Sequence, residues 1–398
     1  MNRRLTLLFA IAGGAAVGNL YWSQPLLDFI ASDLRTGTAS AGWLVTATQI
    51  GYAVGVLLFV PLGDVLSRRI LVPIALLCAT TALVASALAP TFSVLLITLS
   101  LVGLTTVSGQ ILVPLAGDLA DDSNRGRIVG TVVSGILIGI LVSRTVSGLV
   151  AAAAGWRAIY FAAAALAFLL AILLFFAIPR VPVRAALRYP ALIGSVFALV
   201  RRERAVRWSL VLGGTSFAVF TMFWTSLTFL LSAPPFSFSV DVIGLFGLVG
   251  LAGAAAAQRV GRLNDRGFGL PAIGVAWVLI LLAFVIGGLG STSVPVIIVA
   301  ILVLDVAIQG QNITVQSRMF QIDPQARSRL NTAFVANNFI WGAVGSGLSS
   351  FLWEHGGWTA IMVAAAVLSG FALTVWFVGR RGPLRLQQDA APRVVAAR

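Results

Sequence analysis

The sequence predicts an all-α membrane protein, with twelve transmembrane helices in two pseudo-symmetric six-helix bundles. Three observations carry that expectation. The 398 residues are 59% hydrophobic and only 10% charged, with a mean hydropathy of +0.99, whereas soluble domains carry roughly a quarter charged residues. The arginines gather in the loops on one side of the apolar spans. Landmarks of the first half also recur about 200 residues later in the second.

Apolar runs long enough to cross a bilayer, about 20 residues, recur along nearly the whole chain. They place helices at 5–28, 41–62, 70–89, 93–116, 128–150 and 158–178. The second half gives 208–232, 240–259, 270–290, 293–316, 331–352 and 358–378. No strand-like alternation is present, so the backbone is expected to satisfy itself within helices. Met1 to Arg4 followed by Leu5 to Val17 resembles a signal peptide. However, the apolar run continues through Leu27 and further spans follow, which favours an uncleaved first helix. The 40 glycines suit close helix packing. Gly51 and Gly55, Gly135 and Gly139, and Gly244, Gly247, Gly250 and Gly253 form small faces of that kind. None has the Lys-Ser/Thr of a nucleotide loop.

All 27 basic residues are arginine. With the N-terminus inside, the cytoplasmic segments hold Arg3, Arg4, Arg68, Arg69, Arg125 and Arg127, then Arg180 to Arg207 in the middle loop. Further inside arginines are Arg259, Arg262, Arg266, Arg318, Arg327 and Arg329, and those of the tail. Arg35 and Arg157 fall outside, and Arg144 lies within a span. The positive-inside rule therefore puts both termini in the cytoplasm and the chain in a bacterial inner membrane.

Gly155-Trp156 recurs as Gly357-Trp358, 202 residues on. At that offset Arg125 and Arg127 match Arg327 and Arg329, Trp22 matches Trp224, and Gln110 matches Asn312. The expected units are an N-terminal bundle at 1–179, a basic linker at 180–207, a C-terminal bundle at 208–379 and a cytoplasmic tail at 380–398. Within the linker, Tyr189 to Val200 is expected either to form an amphipathic helix on the inner leaflet or to be a solvated connection. Two parallel six-helix repeats are an architecture of solute carriers.

Several classes are disfavoured. The net charge of +14 does not indicate nucleic-acid binding, because the arginines occupy short loops and no soluble basic domain exists. One cysteine, Cys78, allows no internal disulfide and no cysteine-based metal site. One histidine, His355, leaves little from which to build an enzyme active site. No cofactor is expected; the partners are a small-molecule substrate, protons and the bilayer, with the chain monomeric.

The loop after the second helix reads Pro61-Leu62-Gly63-Asp64-Val65-Leu66-Ser67-Arg68-Arg69. Its counterpart after the eighth reads Gly261-Arg262-Leu263-Asn264-Asp265-Arg266-Gly267. Both resemble the Gly-x-x-x-Asp-Arg-x-Gly-Arg-Arg signature of the major facilitator superfamily. Asp118 to Arg127 and Asp323 to Arg329 are similar to that family's acidic loops before helices five and eleven. Asn19-Leu20-Tyr21-Trp22-Ser23-Gln24-Pro25 resembles a motif of the arabinose-efflux and drug–proton antiporter branch. The resemblance implies the major facilitator fold, alternating access and proton-coupled export of a small organic or drug-like solute. A proton-linked importer or a uniporter of a sugar, amino acid or nucleoside is the alternative. The chain departs from the branch at Arg144, where the antiporter motif has Pro, and at Leu99, where helix four commonly has Arg.

Charges within a span cost about 2.5–3.5 kcal/mol each on insertion scales and usually face a cavity or a partner. Asp305 lies 13 residues before Arg318, about 20 Å along the helix and near mid-bilayer. An acid neutral in one state and charged in another can couple proton movement to rocking. Arg144 in helix five is the second such residue, with Asp305 and Asp28 its partners in reach; a fixed structural pair is the alternative to a transport role. Asp28, which closes helix one near the outer face, is a third proton-coupling candidate, a plain surface carboxylate being its alternative reading. Substrate-binding candidates are Asn19, Tyr21, Gln24, Gln49, Tyr52, Gln110, Gln309, Asn312, Asn337, Asn338 and Trp341, each of which could instead serve interhelical bonding. Phe217, Phe220, Phe223 and Trp224 read as packing ahead of binding. Asp64, Arg68, Arg69, Asp265 and Arg266 are gating candidates, since charge-assisted bonds at helix ends can break and re-form.

Overall fold

A computed structural model describes residues 1–121, 123–180, 188–250, 269–323 and 326–385. Nine helices among them are long and apolar enough to cross a membrane. Three features reconcile that number with twelve passes. Arg327–Gly379 is two helices interrupted at Gly357, whose φ is +58°. The eighth pass is described only over Val240–Gly250. The first pass is broken into Arg3–Gly18, a 3-10 turn at Gln24–Leu26 and Leu27–Asp33.

The break in the first pass differs from the continuous helix expected over 5–28. Pro25 lacks an N–H to continue the helical ladder, and buried side chains stand in for helical bonding around it. Thr228 Oγ1 donates to Gln24 O at 2.8 Å, and Ser147 Oγ to Trp22 O at 2.6 Å. The second pass contains Trp43–Phe59 and the third spans Arg68–Ala87. The fourth is divided between Phe92–Thr105 and Ser108–Asp118. Arg125–Ala154 and Trp156–Ala177 complete the first bundle. In the second bundle, Arg204–Ser232 is the seventh pass, Gly269–Leu289 the ninth and Val294–Ile322 the tenth. Tyr189–Arg202 between the bundles is a helix, with Tyr189 Oη donating to Leu58 O at 2.6 Å.

The Gly-Trp repeat has a conformational cause. Gly155 (φ +81°) and Gly357 (φ +58°) both adopt left-handed backbone, which glycine tolerates without a Cβ clash. Each reverses the chain between two consecutive passes. The tryptophan that follows pins the reversal: Trp156 Nε1 donates to Asp33 Oδ2 at 2.9 Å and Trp358 Nε1 to Gly287 O at 2.8 Å.

Each bundle has its own apolar core, one centred on Phe9, Tyr52, Leu112 and Leu174, the other on Phe223, Trp277, Phe284 and Ile301. Large apolar side chains such as Phe176 and Leu289 point outward, as lipid solvent allows. The bundles meet most closely at the face remote from the N-terminus. There Thr46 and Ser346 hydroxyls lie 2.7 Å apart, and Thr145 Oγ1 donates to Gly244 O at 2.9 Å. At the face carrying the N-terminus, hereafter the terminal face, the link is a thinner chain of amides. Gln316 Nε2 donates to Asn331 Oδ1 at 2.9 Å, and Asn331 Nδ2 to Gln110 Oε1 at 3.4 Å.

Backbone-to-backbone contact holds the first and fifth passes together. A Cβ at Gly14 would sit 2.5 Å from Gly135 O, and one at Gly139 would strike Gly14 O. No side chain fits there, whereas Gly130 has nothing within 4 Å. Gly139→Leu is expected to abolish monodisperse elution in detergent while Gly130→Ala elutes as wild type. Equal behaviour of the two variants would contradict this packing.

Candidate functional site

The buried charges lie where the bundles meet. Arg144 and Asp305 are each 2% exposed, one on the fifth pass and the other on the tenth. They form no direct salt bridge; the indole of Trp224, on the seventh pass, stands between them. Arg144 Cζ lies 4.3 Å from the Trp224 ring centroid, and Trp224 Nε1 points to Asp305 Oδ1 at 3.4 Å. One face of the indole thus receives a cation while its edge reaches an anion. A desolvated cation–π contact is worth about 2 kcal/mol or more.

The rest of the guanidinium is enclosed by the first pass and by its own helix. Its Nε donates to Gln24 Oε1 at 2.9 Å and Nη1 to Ile140 O at 3.3 Å. The rings of Tyr21 and Phe220 lie 4.8 and 5.7 Å from Cζ. Glycines on the eighth pass make the enclosure possible. A Cβ at Gly247 would come within 3.0 Å of Arg144 Cβ, and one at Gly250 within 2.5 Å of Asp305 Oδ2. Gly253 of the same stripe lies outside the described residues.

Three polar atoms here are buried with no hydrogen-bond partner among the described residues: Arg144 Nη2, Asp305 Oδ2 and Gln24 Nε2. Such atoms are costly when unsatisfied. Together they offer a donor from a cation, an acceptor from an acid and a neutral donor. A proton, or a solute carrying complementary groups, can satisfy them.

The other candidates divide by position. Asn19 Oδ1 accepts from Trp22 Nε1 at 2.8 Å, and Asn337 Nδ2 donates to Leu210 O at 2.8 Å. Tyr52 packs against Phe339 with centroids 4.4 Å apart. Gln49 Oε1, Asn312 Oδ1 and Asn338 Oδ1 are buried without partners, Gln49 lying against Gly342 on the eleventh pass. Gln110 belongs to the amide chain near the terminal face, Gln309 is half-buried on the tenth pass, and the half-buried Trp341 rests on Gly214. Asp28 is not brought to Arg144: it accepts from Thr38 Oγ1 at 3.0 Å. His355 rests on its own helix, with Nδ1 2.8 Å from Phe351 O.

Of the gating candidates, Arg68 is the hub. It reaches Asp118 Oδ2 at 2.6 Å, Asp64 Oδ1 at 3.2 Å and Gly63 O at 2.8 Å. Arg69 turns away, donating to Phe175 O at 3.2 Å. The cluster lies wholly within the first bundle, joining the loop after the second pass to the end of the fourth. Asp265 and Arg266 lie outside the described residues, as does Asp122.

Sequence reasoning assigned Trp224 to packing and missed its place between the charges. Its repeat mate Trp22 is the one signal that could have pointed to it. Also missed was a clamp on the remote face, where Arg157 Nη1 meets Asp33 Oδ2 at 2.5 Å and Nη2 meets Ala89 O at 3.2 Å.

The family model of the Major Facilitator Superfamily matches residues 8–346. The chain is 42% identical over 379 residues to "Uncharacterized transporter YgaY" of Escherichia coli O157:H7, covering 95% of this chain and 96% of that protein. It is 30% identical over 361 residues to "Probable transporter SCO4007" of Streptomyces coelicolor, covering 90% and 83%. Among solved structures, the xylose transporter XylE of E. coli, in a partially occluded inward open conformation, superposes with a TM-score of 0.75 at 14% identity, over 94% of this chain and 96% of that one. The nucleoside transporter NupG gives 0.74 at 16% identity, over 94% and 98%. At such identities the likeness shows the fold alone. The chain belongs to the Major Facilitator Superfamily and is a multi-pass membrane transporter rather than an enzyme.

Proposed function

We propose that this transporter exchanges protons for a small organic solute by alternating access, with Asp305 as the coupling acid, and works as an exporter. The observation that carries the reading is the buried Arg144–Trp224–Asp305 arrangement across the two bundles, with Asp305 Oδ2 left unpartnered. While charged, Asp305 attracts Arg144 of the other bundle, with the Trp224 N–H steadying the carboxylate within its own, and so holds the bundles together. Protonation removes that attraction and eases their separation. The same oxygen can take a proton or a cationic or hydrogen-bonding group of the solute, but not both. Mutual exclusion of that kind makes an exchanger.

Export follows from the likeness of Asn19 to Pro25 to the arabinose-efflux and drug–proton antiporter branch. Gln24, Gln49, Asn312 and Asn338 supply unpartnered buried amide atoms, and Tyr21 and Trp224 supply ring faces for the solute. The arginine bias between loops supports placing the terminal face in the cytoplasm of a bacterial inner membrane. In that orientation the tight contacts at Thr46, Thr145 and Gln24 seal the outer side. The Asp64–Arg68–Asp118 cluster then lies inside, where it steadies the first bundle during rocking.

Transport in proteoliposomes under an imposed pH gradient tests this. Asp305→Asn should abolish gradient-driven movement of the solute while solute-for-solute exchange persists; wild-type pH dependence in that variant would refute the coupling role. Trp224→Phe keeps an aromatic face but removes the N–H aimed at a charged acceptor, worth about 1.5–3 kcal/mol. Its driven rate should fall about ten-fold or more, and an unchanged rate would remove Trp224 from the mechanism. Asp64→Ala should slow turnover about five-fold, in line with a partly exposed ion pair, at nearly constant KM. A defect confined to KM would contradict a gating role for the cluster.

A further inference from the structure

A second site lies on the lipid-facing surface of the second bundle. The ninth and twelfth passes leave a groove of about 560 Å³ that opens at the terminal face. Its floor is the Trp376 ring laid flat on Gly274, where a Cβ would strike the indole. The ring is fixed by a 2.8 Å bond from its Nε1 to Leu270 O. Val275 and Val278, both more than half exposed, line one side. From Leu270 to Leu279 the slot runs ten residues, about 14 Å of helix. That is close to half of the roughly 30 Å hydrocarbon core, the depth of one leaflet.

Arg380 and Arg381 form the mouth. The Arg380 guanidinium stacks over Phe377 and Trp376, at 4.2 and 5.0 Å from their centroids, which holds it at the end of the slot. Among the described residues no acidic side chain pairs with either arginine. An apolar slot one leaflet deep, closed by two guanidinium groups that have no acidic partner among the described residues, is complementary to a molecule with a hydrocarbon body and an anionic head. Arginine suits phosphate because it can donate two parallel bonds. Basic pockets between transmembrane helices take lipid head groups in this way.

We propose that this groove binds one anionic phospholipid, with an acyl chain along Leu270 to Leu279 and the phosphate on Arg380 and Arg381. The inference stands apart from the transport reading, since no residue of the central site takes part. The full chain in nanodiscs of equal parts phosphatidylglycerol and phosphatidylcholine, released for native mass spectrometry, tests it. Wild type should retain one phosphatidylglycerol with about a thirty-fold preference, the value expected for two arginines near the surface. Arg380→Gln with Arg381→Gln should lose at least about ten-fold of that retention. Val278→Trp, which fills the slot and leaves the charges intact, should also displace the lipid. Arg3→Gln with Arg4→Gln removes the same charge elsewhere on the terminal face and should retain it. Equal retention of the two lipids, or wild-type retention in the Arg380 and Arg381 variant, would overturn the site. Displacement of the lipid by free glycerol phosphate would show that the slot contributes nothing and would equally overturn it.

Discussion

A guanidinium cannot be left bare in a lipid-embedded protein, and the first and second bundles share the task of satisfying Arg144. Gln24 and the carbonyl of Ile140 take two of its donors, and three aromatic rings cover its faces. Two of those rings, Phe220 and Trp224, belong to the opposite bundle. The enclosure of Arg144 therefore depends on how the bundles sit against each other. Asp305 enters through the same indole, so the electrostatics of one acid act on the whole interface. A direct ion pair would have fixed the two charges more rigidly; the interposed ring leaves Asp305 Oδ2 open.

The surrounding fold serves this arrangement through close backbone approach. Gly135 and Gly139 let the fifth pass lie against the first, which brings Gln24 within reach of Arg144. On its other side, Gly244 and Gly247 let the eighth pass approach the fifth, and Gly250 lets its backbone lie against the Asp305 carboxyl. At the remote face the contacts are short hydroxyl bonds to backbone or to another hydroxyl. At the terminal face the bond between bundles runs from Asn331 to Gln110 and is longer, at 3.4 Å. The two faces thus differ in how readily they can part, as alternating access requires.

Much of this organisation was legible in the sequence because it rests on period and composition. Apolar length set the passes, and the Gly-Trp pairs at 155 and 357 marked true chain reversals at positive φ. Asp305 and Arg144 stood out because charges are rare in spans. Pro25 carried a signal for the break in the first pass that apolar length overrode, whereas the break at Thr106 and Val107 in the fourth has no proline or glycine to mark it. Nor was the separation of Arg144 from Asp305 by Trp224 legible, because an aromatic in an apolar run carries no mark of what touches its face. The assignment of Arg69 to the same latch as Arg68 could not be refined from spacing. Adjacent helical residues diverge by about 100°, and only the tertiary structure sends Arg69 towards Phe175.

The claim that the charge on Asp305 sets how the bundles meet is open to a distance measurement. Spin labels at Arg127→Cys and Ser328→Cys, in a Cys78→Ala background, report the separation of the two bundles at the terminal face. The wild-type distance distribution should shift as pH is lowered. With Asp305→Asn added, the low-pH distribution should appear at every pH. A variant whose distances still follow pH as the wild type does would contradict the account.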